Sequence, residues 1–270
     1  MKKCNVCGTA LHDDIKRCPM CGALVETNVN AQTVQEEQKE NAQVKVKEET
    51  SNSAYNAEKV LRSVVRVMTD NSVGTGFVYD GNLVITNAHV ISNVDGKGNL
   101  LVSRIIRASF SEKFDKKLYV LELLNIDVKE DVAILRFVDN VSFPSLVLAD
   151  QSMVAMGEEV FTIGCPLGFD FSYISGHISN PNKKTDGKAN RVIQTDMTVN
   201  HGNSGGPLCN TNCEVVGMIS FNEIHKSEDN ILDTPNGPTR LAMYKPIDGM
   251  SFAVTSEAIK ECLQVMKIYQ

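Results

Sequence analysis

Three features are missing from the 270-residue sequence: a long apolar run, a secretory leader and an excess of basic charge. No segment approaches the roughly 20 apolar residues that a membrane-spanning helix needs. The N-terminus, MKKCNVCGTALHDD, begins with basic residues but lacks the apolar stretch of a signal peptide. The net charge of −6 is opposite in sign to the basic balance typical of nucleic-acid-binding proteins. These absences favour a cytoplasmic protein that neither spans a membrane nor binds nucleic acid.

What is present is an ordinary globular composition, 42% hydrophobic and 22% charged. The length allows one large core plus a small additional unit. Eight cysteines occur, and in a reducing compartment they are thiols or metal ligands rather than disulfides.

The texture of the sequence divides the chain into three segments: 1–26, 27–57 and 58–270. The first is cysteine-rich. The second is rich in Gln, Glu, Asn and Lys and lacks aromatic residues before Tyr55, which predicts a flexible polar linker. The third contains many short apolar or alternating runs punctuated by Gly, Asn and Asp, among them VVRVM, VGTGFVY, LVITN, DVAILRF and EVVGMIS. This pattern predicts an all-β barrel or sandwich.

One long amphipathic helix is predicted at the C-terminus, in TSEAIKECLQVMKIYQ. Thr255 or Ser256 is its expected N-cap, and Ile259, Leu263 and Met266 share one face of the helix.

The first segment contains two Cys-x-x-Cys pairs, CNVCG and CPMCG, with ten residues between them. The four thiolates of Cys4, Cys7, Cys18 and Cys21 would surround Zn²⁺ in a closed, structural, tetrahedral site. A redox pair or loose thiols are the alternatives, but two matched pairs favour metal. So short a segment has almost no core, so the metal would supply its folding free energy. Residues 4–22 resemble a bacterial zinc ribbon.

The remaining cysteines, Cys165, Cys209, Cys213 and Cys262, show no ligand spacing and are expected to be reduced core or surface thiols.

Glycines surround a single serine, Ser204, in the stretch VNHGNSGGPLCN. A serine hydroxyl needs a base to remove its proton and donors to hold the oxyanion that forms after attack. The backbone N–H groups of Gly202, Asn203 and Ser204 could line such an oxyanion hole. A plain turn or a phosphate-binding loop would fit the same glycines.

Two upstream residues could complete a catalytic set. His89 follows a pair of strands in LVITNAHVI, and Asp131 begins a strand in EDVAILRF. Taken singly, each has an ordinary structural interpretation. Their chain order, His then Asp then Ser, is one of the known orders of a nucleophile–base–orienter triad.

Residues of about 58–270 resemble a trypsin-like serine protease of the HtrA/Deg type. Several blocks match that family in order, including TGFVYDGNLVITNAHVI, EDVAILRF, GCPLGFDFSYISGHIS, QTDMTVNHGNSGGPL and VVGMISF. The resemblance implies two six-stranded antiparallel barrels with the active site between them. It further implies that Ser204 attacks the scissile carbonyl, that His89 transfers the proton and that Asp131 orients His89.

The sequence departs from relatives of this family in two ways. Secreted digestive members carry Asp at the position of Asn203, where it pairs with a newly cut N-terminus, so activation by such a cut is not expected here. HtrA proteins usually continue into a PDZ domain, so the peptide-sensing behaviour tied to that domain is not carried over.

Specificity residues are expected at Val199 and in the segment Ser220, Phe221 and Asn222. No acidic residue falls at the base of this pocket, which disfavours cleavage after Lys or Arg. The long connection Glu223–Gly249 is expected to border the pocket, and His201 to lie at its mouth as either a functional group or a bystander.

The leading hypothesis is an ATP-independent serine endopeptidase that acts on unfolded or extended protein segments. The zinc ribbon would bind a protein partner or act as a tether. The alternative is a catalytically idle protease-fold protein that uses the ribbon and barrels as an interaction scaffold. Nucleic-acid binding through the ribbon is a weaker third possibility, because its few basic residues are offset by acidic ones.

Overall fold

The computed structural model describes residues 1–24, 53–168, 170–183, 192–234 and 237–268. The chain divides into two compact units, Met1–Asn52 and Ser53–Gln270. Most of the predicted linker, 27–57, lies outside the described residues. Its last part, 53–57, belongs to a helix (α1) that covers 53–61. Ala57, Val60 and Leu61 of this helix pack on the hydrophobic core of the second unit, which explains why the segment is ordered with that unit.

The N-terminal unit contains two similar cysteine turns. Strands β1 (Lys2–Lys3) and β2 (Ala10–Leu11) pair around the first turn, and a bridge between Arg17 and Leu24 closes the second. Its described core consists of Cys4, Leu11 and Cys18, with Ala23 partly buried.

The first barrel of the larger unit is a closed ring of six antiparallel strands in the order β10-β5-β4-β3-β8-β9. The strands are β3 (Val64–Met68), β4 (Val73–Tyr79), β5 (Leu83–Thr86), β8 (Ile106–Ser109), β9 (Leu118–Asp127) and β10 (Val132–Phe137). After β5 come a single helical turn, α2 (Ala88–Ile91), and a separate hairpin of β6 (Ser92–Val94) and β7 (Leu100–Val102).

The second barrel contains six antiparallel strands in the order β16-β15-β12-β13-β14-β17, and pairing of β16 with β17 closes the ring. Its strands are β12 (Glu159–Gly164), β13 (Ser172–Lys183), β14 (Val192–Thr195), β15 (Pro207–Asn210), β16 (Glu214–Thr234) and β17 (Gly237–Thr255). A short strand, β11 (Val147–Leu148), adds in parallel to β16. Two short 3₁₀ turns cover Gln151–Met153 and Pro166–Gly168. This architecture confirms the predicted pair of six-stranded barrels.

Strands β4, β5 and β10 of the first barrel are largely buried on both faces. Successive residues of a strand point to opposite sides, and Phe77 and Val78 accordingly enter two different core clusters, as do Ile134 and Leu135. The cluster that contains Phe77 and Ile134 also contains residues of the second barrel, such as Met218. The barrels therefore pack against each other through a continuous apolar core.

The C-terminal helix, α3 (Ser256–Ile268), joins both barrels. The predicted face of Ile259, Leu263 and Met266 is buried in the shared core. The backbone N–H of Ala258 donates to the Thr255 hydroxyl at 3.2 Å, so Thr255 supplies the predicted N-cap. Asn125 of β9 donates to the carbonyl of Cys262 at 2.9 Å and fixes the helix to the first barrel.

The segment Glu223–Gly249 was expected to be a long connection, but its described residues, 223–234 and 237–249, belong to the paired strands β16 and β17. Their register continues from Gly217↔Thr255 to Thr234↔Gly237. The sequence analysis missed this extension because polar residues dominate the segment and give no apolar alternation. Among the described residues, no helix is long and apolar enough to span a membrane.

Candidate active site

His89 lies on the single turn of α2, where the chain leaves the first barrel after β5. Its side chain is half exposed, while the neighbouring Ala88 and Val90 are buried. This burial fixes the backbone of the turn and leaves the imidazole at the surface of the domain.

Asp131 lies directly before β10, and its carboxylate makes hydrogen bonds with two atoms of His89. The backbone N–H of His89 donates to Asp131 Oδ1 at 3.0 Å, and His89 Nδ1 lies 2.8 Å from Asp131 Oδ2. Because a carboxylate oxygen accepts hydrogen bonds, this contact favours, for a neutral imidazole, the tautomer with its proton on Nδ1 and the lone pair on Nε2. The arrangement produces the tautomer that a general base requires.

The backbone of Asp131 has a φ of +57°, which is uncommon for a residue other than glycine. The side-chain amide of Asn87, a buried residue beside α2, donates to the Asp131 carbonyl at 2.9 Å. Strained backbone of this kind persists only where its surroundings hold it. Asn87 supplies such a contact and links the conformation of Asp131 to the turn that carries His89.

Ser220 of β16 connects this pair to Ser204. Its hydroxyl donates to Asp131 Oδ2 at 2.6 Å, and its carbonyl accepts the Ser204 hydroxyl at 3.0 Å. Among the described residues, Ser204 makes no hydrogen bond to the His89 ring. The three expected catalytic residues thus meet in one network, with Ser220 as the connecting residue.

The loop before β15 exposes two backbone donors beside Ser204. Gly202 has a φ of +97°, a conformation that glycine adopts without steric cost. Within the described chain, the N–H groups of Gly202 and Ser204 have no hydrogen-bond acceptor. The N–H of Asn203, by contrast, donates to the Asn200 carbonyl at 3.1 Å. Gly202 and Ser204 are therefore the two N–H groups left for an oxyanion, and Asn203 is turned away.

The Asn203 side chain is fully buried, and neither of its amide atoms has a hydrogen-bond partner among the described residues. A carboxylate here would be a buried charge, which is far more costly than a neutral amide unless it is paired. The expectation that no charged amine pairs at this position stays a prediction.

The expected pocket residues have different surroundings. Val199 is 3% exposed, and Ser220 directs its hydroxyl to Asp131. Phe221 and Asn222 pair with Phe252 and Ser251 of β17, and their side chains lie outside the described part. His201 is exposed on the loop.

The four N-terminal cysteines converge. Their sulfur atoms all lie within 4.8 Å of one another, with Cys4 and Cys21 3.6 Å apart and Cys7 and Cys18 also 3.6 Å apart. Four sulfurs bound at about 2.3 Å to one tetrahedral zinc ion would lie about 3.8 Å apart. The cluster therefore fits a metal of this size.

The two turns that present these sulfurs are nearly identical. Gly8 and Gly22 have φ values of +73° and +71° and donate to the carbonyls of Cys4 and Cys18, in each case at 2.9 Å. A hydrogen bond from the Thr9 hydroxyl and another from its backbone lower the pKa of Cys7 to about 6, whereas the neighbouring Cys7 sulfur raises the pKa of Cys21 to about 12.

The other four cysteines belong to the larger unit. Cys165, Cys209, Cys213 and Cys262 are all buried thiols of the second unit. Burial raises the pKa of Cys165 and of Cys262 to about 11.

Two further side chains contribute to this site beyond those expected from the sequence. The Ser220 hydroxyl contacts Asp131, and Thr75 contacts the Ser204 loop. The expectation that Ser220 lines the pocket stays a prediction. The hydroxyl of Thr75, set between two glycines in VGTGFV, was the available signal.

The site thus combines a two-barrel domain, an Asp–His pair joined to a serine through Ser220, and two backbone N–H groups without acceptors in the described chain. The family model for the trypsin-like peptidase domain matches residues 74–218. The chain therefore belongs to the trypsin-like peptidase domain family.

Curated relatives include the probable periplasmic serine endoproteases DegP-like of Pseudomonas putida and Halomonas elongata. They are 37% and 39% identical over 151 residues, which is 55% of this chain and 29% of each relative. The chain thus matches less than a third of the length of these relatives. Among solved structures, the HtrA-type protease AlgW with tripeptide shares the fold, with a TM-score of 0.62 at 21% identity, covering 80% of this chain and 64% of AlgW.

Proposed function

We propose that this chain is a serine endopeptidase that hydrolyses peptide bonds in unfolded or extended protein segments without ATP. The observation that carries the proposal is the hydrogen-bond network that joins His89, Asp131 and Ser204 through Ser220. Homology to named serine endoproteases supports the same reaction class.

The steps follow from the geometry. Substrate binding rotates the Ser204 hydroxyl from the Ser220 carbonyl to His89 Nε2, since such catalytic hydrogen bonds often tighten only in the complex. Ser204 Oγ then attacks the scissile carbonyl while His89 takes its proton, and the N–H groups of Gly202 and Ser204 hold the oxyanion. His89 next gives the proton to the leaving amine. Water, activated by the same imidazole, releases the acyl group from Ser204.

Asp131 keeps the imidazole in the reactive tautomer throughout. It also stabilises the imidazolium that forms when His89 accepts the proton.

An extended substrate is supported by the free edge of β16. On one side, the last residue of β16 that pairs with β15 is Met218. On the other side, β16 continues to pair with β17 beyond this point, at Phe221 and Asn222. Within the described residues, the positions of β16 after Ser220 therefore pair with a strand on one side only, and a peptide can add as a strand on the other side.

Preference for small or aliphatic side chains before the cut is supported by the apolar Val199. A lysine side chain in such a pocket would bury an unpaired charge, which is costly. The preference thus rests partly on rejection of charged side chains.

The N-terminal cysteines are proposed to hold one structural Zn²⁺, which would supply the folding free energy of this small unit. Their sulfur distances support the assignment. A protein partner for this unit and a cytoplasmic location stay predictions, and the name periplasmic belongs to the relatives.

A specific observation favours the second candidate, a catalytically idle scaffold: the Ser204 hydroxyl bonds to Ser220 rather than to His89. Degradation of reduced, alkylated α-lactalbumin without nucleotide separates the two candidates. The endopeptidase proposal expects cleavage by the wild type and a loss of about 10⁴-fold or more in Ser204→Ala. Ser152→Ala, an exposed serine outside the site, is the matched control. Intact substrate with the wild type would favour the scaffold.

A further inference from the structure

Thr75 contacts the Ser204 loop from the opposite barrel. It lies on β4 of the first barrel and is fully buried, whereas the loop precedes β15 of the second. The Thr75 hydroxyl donates to the Gly202 carbonyl at 2.6 Å, and the Thr75 N–H donates to the Ser204 carbonyl at 2.8 Å. One residue therefore holds the carbonyl groups on both sides of Asn203.

Thr75 is itself held in place. Its hydroxyl accepts the N–H of Cys165 at 3.0 Å, and its carbonyl accepts the Thr86 hydroxyl at 2.6 Å. A threonine hydroxyl has one proton to give, and the contact with Cys165 N–H directs that proton to Gly202. The hydroxyl is thus aimed by its surroundings.

The loop needs this external restraint because glycines make its backbone soft. Gly202 and Gly205 both have positive φ, and a Cβ on Gly205 would overlap the Thr75 carbonyl. A peptide group is planar with its N–H and C=O opposed, so a bond to one carbonyl prevents that whole peptide from rotating. Within the described chain, Thr75 supplies the only side-chain hydrogen bond to the loop carbonyls from Gly202 to Gly206.

We propose that Thr75 is a positioning residue. Its hydroxyl holds the Gly202–Asn203 peptide and its N–H holds the Ser204–Gly205 peptide, and these two fixed peptides restrict the rotation of the adjoining peptides that carry the N–H groups of Gly202 and Ser204. The inference rests on the proposed endopeptidase function. Beyond that function, we infer that a side chain of the first barrel holds the oxyanion-hole loop of the second barrel in its conformation. Because these donors act on the tetrahedral intermediate, Thr75 affects kcat rather than substrate binding.

The test compares steady-state peptidolysis by the full-length wild type and three substitutions. Thr75→Val keeps the shape and removes the hydroxyl, Thr75→Ser keeps the hydroxyl, and Thr75→Cys offers a weaker donor. Thr162→Val is the matched control, because the Thr162 hydroxyl is buried without a hydrogen-bond partner in the described chain. Melting curves check that each variant is folded.

Thr75→Val is expected to lower kcat about 10- to 100-fold, less than the roughly 10²–10³-fold lost on removing an oxyanion donor itself. Its KM should stay within about twofold, Thr75→Ser should stay near wild type, and Thr162→Val should leave both constants unchanged. A peptide boronic acid ending in valine, whose adduct is tetrahedral, should lose affinity in parallel with kcat.

A wild-type kcat in Thr75→Val, a loss that Ser does not restore, or a change confined to KM would overturn the inference. If the Thr75→Val variant does not fold, the comparison rests on the other two variants. The kcat of Thr75→Cys, whose thiol is the weaker donor, must then be lower than the kcat of Thr75→Ser, and equal values would overturn the inference. Inactivity of the wild type itself would instead reject the proposed function.

Discussion

The two units of the chain contain four cysteines each and use them in opposite ways. In the N-terminal unit the sulfurs face one another around a common centre, and the described core holds only one further fully buried side chain, Leu11. In the larger unit all four are buried, and Cys209, Cys213 and Cys262 lie in the apolar cluster that contains Phe77. The difference follows the size of the available core: a large core buries the thiol as an apolar group, whereas the very small core fits the proposal that its thiols bind a metal.

Metal removal should produce the largest difference between the units. Zinc binding to short zinc-finger peptides supplies about 10–16 kcal/mol at neutral pH. The double variant Cys4→Ser/Cys18→Ser should therefore lose its zinc by elemental analysis and leave the N-terminal unit unfolded. The melting transition of the larger unit should not change. The control Cys262→Ser, at a buried thiol of that unit, should lower the melting temperature instead and keep one zinc per chain.

A marked fall in the melting temperature of the larger unit on zinc loss would break this comparison. It would mean that the N-terminal unit contributes to the stability of the barrels.

Truncation of the large core should give the reverse result. Phe77 is fully buried between the barrels, and Phe77→Ala should lower the free energy of unfolding of the larger unit by about 3–5 kcal/mol. Zinc content should stay unchanged. Val138→Ala, at a side chain that is 58% exposed, should change the unfolding free energy by less than about 0.5 kcal/mol. Denaturant titration measures both, and similar values for the two variants would contradict the assigned core.

Thiol reactivity should separate the two sets of cysteines. After chelation at pH 8, iodoacetamide should modify the four N-terminal thiols quickly, because Cys7 and Cys21 are exposed and the unit no longer has its metal. The four buried thiols should react only once denaturant opens the barrels. Mass spectrometry of the alkylated peptides gives the count, and rapid modification of Cys165 or Cys209 in the folded protein would be contrary to their burial.

The smallest effect should appear at alkaline pH. Burial raises the pKa of Cys165 and Cys262 from 9.0 to about 11, so the thiol form is favoured by folding. The contribution of these two protonated thiols to the stability of the folded state is fully present below pH 9 and is lost as the pH rises toward 11. The free energy of unfolding of the larger unit should therefore decrease across this interval. In Cys262→Ala, the free energy of unfolding should decrease less steeply with pH than in the wild type. An equal slope in both proteins would show that Cys262 does not contribute to this pH dependence.

Much of this account was accessible from local sequence patterns. The alternating runs predicted the strands, the period of the C-terminal segment predicted the helix, and the spacing of the four N-terminal cysteines predicted their convergence. Each of these signals lies within a few neighbouring residues, where elementary periodicity and turn geometry apply.

The missed features depend on long-range contacts. Thr75 and Gly202 are 127 positions apart, and Ser220 and Asp131 are 89 apart. Neither hydroxyl carries a local pattern that names its partner. The continuation of β16 and β17 was missed for another reason, since pairing between two polar strands rests on backbone hydrogen bonds that any residue except proline can donate.

The central claim, that Ser204 is a nucleophile activated by His89, is tested most directly by covalent labelling with a fluorophosphonate followed by peptide mass spectrometry. The account predicts one adduct per wild-type chain, located on Ser204, no adduct in Ser204→Ala, and greatly slowed labelling in His89→Ala. A wild-type protein that stays unlabelled while correctly folded, or an adduct that persists in Ser204→Ala, would contradict it.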